Sequence, residues 1–272
     1  MIKLIAIDLD GTTLKDEFTL HPYNVEVIKK YISLGYKFLI ATGRPYRSSK
    51  KFYDELGLDT PIINYNGSYI HDVKESDFKT KIITVRKEDV IQIENDLKDY
   101  LCNIMCEYED LVFIHENDED INSFFWQDGT PVHYGLMKDN LNIDPCTFII
   151  EIKDALDQDK IMSYMERFKD YSCRFWNGRY NRFAEIIPLG VSKADGIRLV
   201  CDYLNINYDE VLTIGDAGND VCMMKEFKKS CAMKNGEEDV INNAKYVTEF
   251  DNENAGVGHF LEKYLQNKTV GN

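Results

Sequence analysis

The sequence lacks a long hydrophobic run, a pair of closely spaced cysteines and an excess of basic residues. No apolar stretch approaches the roughly 20 residues that a membrane-spanning helix needs. The 47 acidic residues exceed the 32 basic ones, for a net charge of −15, which disfavours nucleic acids and anionic membranes as partners. A substrate that is itself anionic would therefore need a local positive charge at its binding site.

The seven cysteines are odd in number and scattered, with no Cys-x-x-Cys pair, which disfavours a disulfide framework and a zinc site. Asp8 and Asp10 interrupt the apolar start of the chain before a signal-peptide core is complete. We therefore expect a cytoplasmic protein, present as a monomer or a weak dimer. With 272 residues, 44% of them hydrophobic, the chain suits one large domain or two modest ones.

One short stretch joins a buried strand to two carboxylates. Residues 4–7 form an uninterrupted apolar run, typical of a strand buried on both faces, and Asp8 and Asp10 follow it. Because side chains alternate along an extended chain, the two aspartates should share one side, where they would repel unless a cation or a shared proton lies between them. The stretch therefore predicts a metal site, with a simple turn as the alternative. A calcium loop is excluded because Thr13 and Thr19 stand where that motif needs Gly and Glu.

Up to about residue 82, strands and helices alternate. The predicted elements are a strand at 4–7, a helix from 22 to 34, a strand at 36–41, a helix at 46–56 and a strand at 61–63. The first helix should bury Val25, Ile28 and Ile32 on one face. This order predicts right-handed parallel crossovers, and sites in such sheets lie beyond the carboxyl ends of the strands. The polar segments 42–44 and 64–67 stand at two of those ends.

From about residue 83 this alternation is lost, which predicts an inserted α+β domain over 83–187. The predicted elements there are a helix at 88–101, strands at 103–108, 111–115 and 148–152, a helix at 157–168 and strands at 173–176 and 183–187. Residues 115–146 should be rich in loops, although 124–126 are too aromatic for a disordered linker.

The α/β alternation resumes after Pro188. Ser192 is the predicted N-cap of a helix, with Asp195 in the capping-box position. The remaining predicted elements are strands at 211–214, 230–233 and 246–248 and helices at 221–227, 237–243 and 258–265. The strand at 211–214 ends in the polar segment 215–220, which should join the same edge of the sheet as the earlier strand ends.

Four features far apart in the sequence are thus expected at one edge of the sheet. They are Asp8 with Asp10, Thr42, Lys193, and the cluster of Asp216, Asn219 and Asp220. The combination resembles the haloacid dehalogenase superfamily, which has a first-strand Asp-x-Asp-Gly-Thr, a Thr or Ser ending the second strand, a Lys and a late Gly-Asp-x-x-Asn-Asp. The segments 41–44 and 190–193 are similar, more narrowly, to the Cof-type phosphatases of that superfamily.

The spacing of these motifs limits where an inserted domain can stand. Only 33 residues separate Asp8 from Thr42, whereas 150 separate Thr42 from Lys193, enough for a domain. The resemblance therefore implies a Rossmann-like parallel-sheet core, residues 1–82 and 188–272, with an inserted α+β cap at 83–187 of the type called C2. Mutases and dehalogenases of the superfamily usually carry the cap in the first gap, and dehalogenases lack the second aspartate, so both are disfavoured.

The resemblance implies phosphoryl transfer through an aspartyl-phosphate. Asp8 would be the nucleophile, and Asp10 would protonate the leaving oxygen and then activate water. The cofactor would be Mg²⁺, because the candidate ligands are hard oxygens. Asp8 and Asp216 would bind it with the Asp10 backbone carbonyl, and Asp220 would act directly or through water. Asp10 could instead be a metal neighbour or turn residue, and Asp220 could simply cap the helix at 221.

Lys193 would pair with Asp8 and stabilise charge on the phosphoryl group. A cation in the first turn of a helix opposes the helix dipole, so a nearby anion is expected; a solvated surface lysine is the alternative. Thr42 would donate its hydroxyl to a phosphoryl oxygen, or else cap the next helix. Gly43 would permit close backbone approach. Arg44 would reach the substrate or the cap, unless it is solvated.

The remaining candidates would contact the substrate from the periphery of the site. Asn219 would hydrogen-bond within the site or to the phosphoryl group, and Asn66 with Gly67 could line the entrance; all three could instead be turn residues. In the cap, Arg179, Arg182 and aromatics near Trp176 could recognise the leaving group, with core packing or solvated charge as the plainer explanation.

The sequence therefore predicts a phosphomonoester hydrolase acting on small phosphorylated metabolites, sugar phosphates first. The partner is a small-molecule phosphate ester, with no nucleic acid and no membrane. The alternatives are a phosphomutase and a regulatory or ligand-sensing protein with the same fold.

Overall fold

The computed structural model describes residues 1–74, 76–124 and 130–269. They form two compact units. The first is made of the described residues within 1–44, 49–81 and 192–269, and the second of the described residues within 45–48 and 82–191. Within the described ranges, no helix is both long enough and apolar enough to cross a membrane.

The bounds of the regular elements follow in chain order. The strands are β1 (Leu4–Ile7), β2 (Lys37–Ile40), β3 (Ile62–Asn64), β4 (Tyr69–His71), β5 (Lys81–Ile82), β6 (Leu101–Tyr108), β7 (Leu111–Ile114), β8 (Val132–Tyr134), β9 (Thr147–Ile152), β10 (Tyr171–Phe175), β11 (Phe183–Pro188), β12 (Val211–Gly215), β13 (Ser230–Ala232) and β14 (Tyr246–Val247). The α-helices are α1 (Pro22–Ser33), α2 (Tyr46–Leu56), α3 (Lys87–Leu97), α4 (Glu119–Phe124), α5 (Met137–Asn140), α6 (Gln158–Met165), α7 (Lys193–Leu204), α8 (Val221–Glu226), α9 (Glu238–Asn243) and α10 (Gly256–Thr269).

The first unit is built on a parallel sheet with the strand order β14-β13-β12-β1-β2. All four residues of β1 are completely buried, because neighbouring strands cover its edges and apolar side chains cover both faces. A parallel bridge between Ala41 and Ile63 links β2 to β3, and the Thr42 N–H donates to the Ile63 carbonyl at 2.9 Å. The predicted α/β class with a parallel-sheet core is confirmed.

The buried face of α1 differs from the predicted one. Its completely or nearly buried residues are Asn24, Val27, Ile28 and Tyr31, whereas Val25 and Ile32 are half-buried. The sequence prediction counted apolar residues only and so missed Asn24. This amide is buried because its hydrogen bonds are made within the protein: Nδ2 donates to the Thr13 carbonyl at 3.1 Å, and Oδ1 accepts from the Gly258 N–H at 2.8 Å.

The second unit holds a six-stranded sheet in the order β10-β11-β9-β6-β7-β8, antiparallel except for the parallel pair β7–β8. The helix predicted at 88–101 ends at Leu97, because Leu101 already belongs to β6 and pairs with Ile152. Residues 115–146, expected to be loops, also contain α4, β8 and α5. Of the aromatic segment 124–126, residues 125 and 126 lie outside the described residues.

Candidate active site

The chain turns sharply after β1, and Gly11 makes this turn possible. Gly11 has φ of +65°, and a Cβ there would collide with the Asp216 carboxylate. The Thr12 hydroxyl donates to Asp216 Oδ1 at 2.6 Å, and the Thr13 hydroxyl donates to the Asp8 carbonyl at 2.6 Å. The Asp-x-Asp-Gly-Thr sequence thus joins the end of β1 to the end of β12. Thr12, to which the sequence analysis gave no role, positions Asp216.

Three carboxylates and one ammonium group meet at the ends of β1 and β12. Lys193 Nζ lies 2.7 Å from Asp8 Oδ1 and 2.7 Å from Asp220 Oδ1, and all three side chains are buried. Oxygens of Asp8, Asp216 and Asp220 lie within 4.8 Å of one another. The structure therefore brings together four of the residues that the sequence singled out.

Burial and mutual repulsion govern the ionisation of this group. Burial raises the pKa of Asp8 to about 7, the Lys193 charge opposes the rise, and the charges of Asp220 and Asp10 add to it. Burial, then the charges of Asp8 and Asp220, hold the pKa of Asp216 well above its usual range. For Lys193, burial favours the neutral form, but the two adjacent carboxylates outweigh it and raise its pKa.

The donor set fits a hard divalent cation. Among the described residues, the cluster offers only carboxylate oxygens as ligands, and Lys193 balances the charge of no more than one of the three. Asp220 is less available than Asp8 and Asp216, because its Oδ1 accepts from Lys193 and its Oδ2 from the N–H groups of Asp216 and Ala217. It makes no side-chain capping bond to α8, so the predicted alternative of a helix cap is not what its side chain does.

Asp10 does not join the carboxylate cluster. The strand ends at Ile7, so the expected alternation of side chains does not continue through the turn that contains Asp10. Its carboxylate instead receives two hydrogen bonds from the Arg44 guanidinium, one of them from Nε at 2.8 Å. Arg44, expected at the substrate or the cap, thus contacts a proposed catalytic residue.

Lys193 is the first residue of α7, and its position is fixed by the backbone before it. The Ser192 hydroxyl caps the helix by accepting from the Asp195 N–H at 3.2 Å. The Asp195 carboxylate contacts the Ser192 hydroxyl, so it does not complete the predicted capping box through the Ser192 N–H. The anion expected near this helix start is present as the carboxylates of Asp8 and Asp220.

Thr42 and Gly43 lie at the end of β2, beside the loop that follows β3. The Thr42 oxygen accepts from the Arg44 N–H at 3.1 Å, which leaves its own proton available for donation. Arg44 lies before the start of α2 at Tyr46, so this bond is not the predicted alternative of a cap on that helix. Gly43 faces the Asn66 amide, where a Cβ would lie 3.3 Å from Nδ2. Asn66 itself has φ of +55° and accepts a hydrogen bond from Asn219 Nδ2 at 2.9 Å.

Asn219 Oδ1 is buried and has no hydrogen-bond partner within the described part of the chain. A buried acceptor without a donor is unfavourable, so this oxygen fits a group that is supplied by a ligand or by water. The Asn66–Asn219 hydrogen bond was not predicted, because the two residues are 153 positions apart and neither has a distinctive local pattern.

The cap residues suggested from the sequence make contacts within the second unit. Arg182 pairs with Glu151 at 2.7 Å and with Asp120. The Arg179 guanidinium lies 4.6 Å from the centre of the Tyr180 ring, and the Trp176 ring stacks on Phe183. These contacts match the plainer alternative of packing and charge pairing.

Comparisons with known proteins agree with the site. A sequence model of the haloacid dehalogenase-like hydrolases matches residues 5–261. The 5-amino-6-(5-phospho-D-ribitylamino)uracil phosphatase YitU of Bacillus subtilis is 32% identical over 265 residues, covering 96% of this chain and 97% of its own. The phosphatase YcsE of the same organism, with the same substrate in its name, is 27% identical over 91% of this chain and 90% of its own.

Solved structures share the fold. A haloacid dehalogenase-like hydrolase from Bacteroides thetaiotaomicron superposes with a TM-score of 0.82 at 21% identity, covering 97% of this chain and 100% of its own. The subclass IIB sugar phosphatase BT4131 gives a TM-score of 0.81 at 20% identity, over 96% of this chain and 98% of its own. The resemblance predicted from the motifs is confirmed: this chain belongs to the haloacid dehalogenase-like hydrolase family and is a phosphatase.

Proposed function

We propose that this phosphatase is a Mg²⁺-dependent phosphomonoester hydrolase that acts through an aspartyl-phosphate on Asp8. The observation that carries the proposal is the buried Asp8 carboxylate, bonded to Lys193 and clustered with Asp216 and Asp220. A nucleophile, a fixed cation and a set of metal ligands at one point are what phosphoryl transfer needs, because catalysis there consists largely of positioning and charge stabilisation.

In the first half of the reaction, an Asp8 oxygen attacks phosphorus in line while the bond to the leaving oxygen breaks. Lys193 holds the carboxylate through Oδ1 and stabilises the negative charge of the transferring group. Asp10 gives its proton to the leaving oxygen, so that an alcohol departs. In the second half, Asp10 takes a proton from water, the water oxygen bonds to phosphorus, and the bond to Asp8 breaks.

The phosphoryl oxygens need neutral donors and a metal as well. Thr42 would donate its free hydroxyl proton, and Gly43 would let the backbone approach closely. Asn219 would accept a hydrogen bond from an ordered water or a substrate hydroxyl, since its Oδ1 is buried and has no hydrogen-bond partner among the described residues. When bound, Mg²⁺ would supply positive charge for the phosphoryl oxygens, held by Asp8, Asp216 and the Asp10 carbonyl, with Asp220 acting through water.

The substrate class is small phosphorylated metabolites, with sugar phosphates and phosphorylated sugar alcohols first. Two relatives along nearly the whole chain are named for 5-amino-6-(5-phospho-D-ribitylamino)uracil, a phosphorylated sugar-alcohol chain on a pyrimidine, so this compound is a specific candidate. We assign recognition of the leaving group to residues 83–187 acting as an inserted cap, because the carboxylates, Lys193 and Thr42 account only for the phosphoryl group. The names of the relatives favour hydrolysis over a phosphomutase or a regulatory role.

Released phosphate, measured over a panel of phosphorylated metabolites that includes this compound, tests the proposal. We expect hydrolysis with Mg²⁺, none in chelator with metal verified absent, and none for Asp8→Asn, whose isosteric amide neither attacks nor binds metal well. Activity without metal would contradict the proposed role of Mg²⁺. Near-normal activity of a folded Asp8→Asn variant would contradict the proposed attack by Asp8. Transfer of phosphate to a second metabolite without release would favour the mutase.

A further inference from the structure

The contact between Arg44 and Asp10 is unequal in its burial. Arg44 Nε donates to Asp10 Oδ2 at 2.8 Å and Nη2 donates to Oδ1, so the planar guanidinium faces both carboxylate oxygens. The Arg44 side chain is 7% exposed, whereas that of Asp10 is 51% exposed. A buried cation therefore presents a carboxylate to solvent.

Arg44 is itself held from several directions. Nη2 also donates to the Glu17 carbonyl at 2.8 Å, and the guanidinium carbon lies 5.6 Å from the centre of the Phe52 ring. Glu17 stands in a short loop whose ends, Leu14 and Leu20, form an antiparallel bridge. The guanidinium is thus fixed between the turn after β1, this loop and α2, and a buried guanidinium that lost its acceptors would be costly.

We propose that Arg44 is a positioning residue for Asp10, rather than a residue that binds the substrate. The proposal rests on the proposed function of Asp10 as proton donor and acceptor. A two-point fork sets both the position and the plane of a carboxylate, which a single charge does not. It also holds the Asp10 carboxyl outside the cluster of Asp8, Asp216 and Asp220.

This role predicts a specific dependence on the leaving group. As the bond between phosphorus and the ester oxygen breaks and the bond to Asp8 forms, that oxygen takes the proton from the Asp10 carboxyl. An alkoxide leaves poorly without this proton, whereas a dinitrophenolate leaves readily without it. A misplaced Asp10 should therefore slow the first half of the reaction for alkyl phosphates and spare it for activated aryl phosphates. The second half, in which Asp10 activates water, should slow equally for all esters.

The test is Arg44→Lys, which keeps the charge but not the planar fork, measured on a series of alkyl and aryl phosphates with saturating Mg²⁺. With enzyme in excess over ester, we expect the rate at which the leaving group is released in a single turnover to fall by about 10- to 100-fold for alkyl phosphates. The same rate should change little for dinitrophenyl phosphate, and the affinity for the esters should change little. Asp10→Asn should show the same pattern more strongly, and the double variant should lose little beyond Asp10→Asn. Arg198→Lys, at an arginine paired with Asp195 and Glu226, is the matched control and should resemble the unaltered protein.

Three results would overturn the proposal. They are unaltered kinetics of Arg44→Lys, an equal loss in the rate of leaving-group release for all esters, and a weakened affinity for the esters with an unchanged rate of release, which would indicate substrate binding. If Arg44→Lys is not folded by thermal melting, Arg44→Gln, which retains one N–H donor pair, is measured against the same expectations. If Asp10→Asn shows the leaving-group pattern and the folded Arg44 variant does not, the positioning role alone is wrong. An unaltered protein that hydrolyses no ester would overturn the proposed function and the positioning role with it.

Discussion

At the scale of single residues, Lys193 has the most demanding environment. It opens α7, where the helix dipole disfavours a cation, and its side chain is completely buried. Only the carboxylates of Asp8 and Asp220, each 2.7 Å away, make this placement tolerable. The same contacts that stabilise the fold therefore also hold the proposed nucleophile, Asp8, and the two roles can be measured separately.

Lys193→Ala should lower kcat by about 100- to 1,000-fold, because a fixed group that stabilises developing charge is lost. It should also lower the free energy of unfolding by about 3 kcal/mol or more, since two buried carboxylates lose their common partner. Phosphate release and urea denaturation measure the two effects. Lys228→Ala, at an exposed lysine 3.1 Å from Asp209, is the control and should change neither by a measurable amount. If Lys193→Ala had unchanged activity, Lys193 would have a structural role only.

At the scale of elements, the strands of the core were predicted well and the turns poorly. The runs at 4–7 and 211–214 are apolar without alternation, and both are central buried strands, β1 and β12. The hairpin of β3 with β4 was missed, as was the end of α3, because these boundaries depend on pairing partners that sequence periodicity does not contain. For the same reason the motifs located the residues of the site, but not the Arg44–Asp10 contact.

The turn after β3 offers an element-scale prediction. Tyr65, Asn66 and Gly67 all have positive φ, and a Cβ at Gly67 would collide with the Ser192 carbonyl oxygen just before α7. Gly67→Ala should therefore lower the free energy of unfolding by about 2 kcal/mol or more, since strain and a backbone collision add. Gly57→Ala is the control, because Gly57 also has a positive φ but an added Cβ there would meet no atom within 4 Å. It therefore measures backbone strain alone and should lower the free energy of unfolding by about 1 kcal/mol. If Gly67→Ala and Gly57→Ala lowered the free energy of unfolding equally in urea denaturation, the close approach of Gly67 to Ser192 would contribute nothing to the loss.

At the scale of the whole molecule, one buried group in each unit should contribute to the pH dependence of stability, and the two contributions should have opposite signs. In the first unit, burial lowers the pKa of His71 to about 4, against the opposing effect of Asp72. In the second unit, burial raises the pKa of Glu151 to about 7, with the Asp118 charge adding to it and Arg182 opposing it. A net charge of −15 gives no hint of either effect, because both arise from where single groups are buried.

The sign of each effect follows from which state binds the proton. Between about pH 6.5 and pH 4, the unfolded chain protonates His71 and the folded chain does not, so the contribution of His71 to stability falls on acidification through this range. At about 1.4 kcal/mol per pKa unit, the full loss of stability from His71 is at most about 3.5 kcal/mol, and it should disappear in His71→Gln. The contribution of Glu151 has the opposite sign. Below pH 7 the folded chain holds a proton on Glu151 that the unfolded chain has released, so this contribution to stability rises as the pH falls towards 4.5. Glu151→Gln should remove that rise. The measurement is urea unfolding of the unaltered protein, His71→Gln and Glu151→Gln at pH 7.5, 6 and 5, followed by probes in each unit. It gives the change in the free energy of unfolding with pH that each of the two groups causes. A pH dependence of stability in His71→Gln equal to that of the unaltered protein would mean that His71 binds its proton equally in the folded and the unfolded chain, and would contradict the predicted contribution of His71.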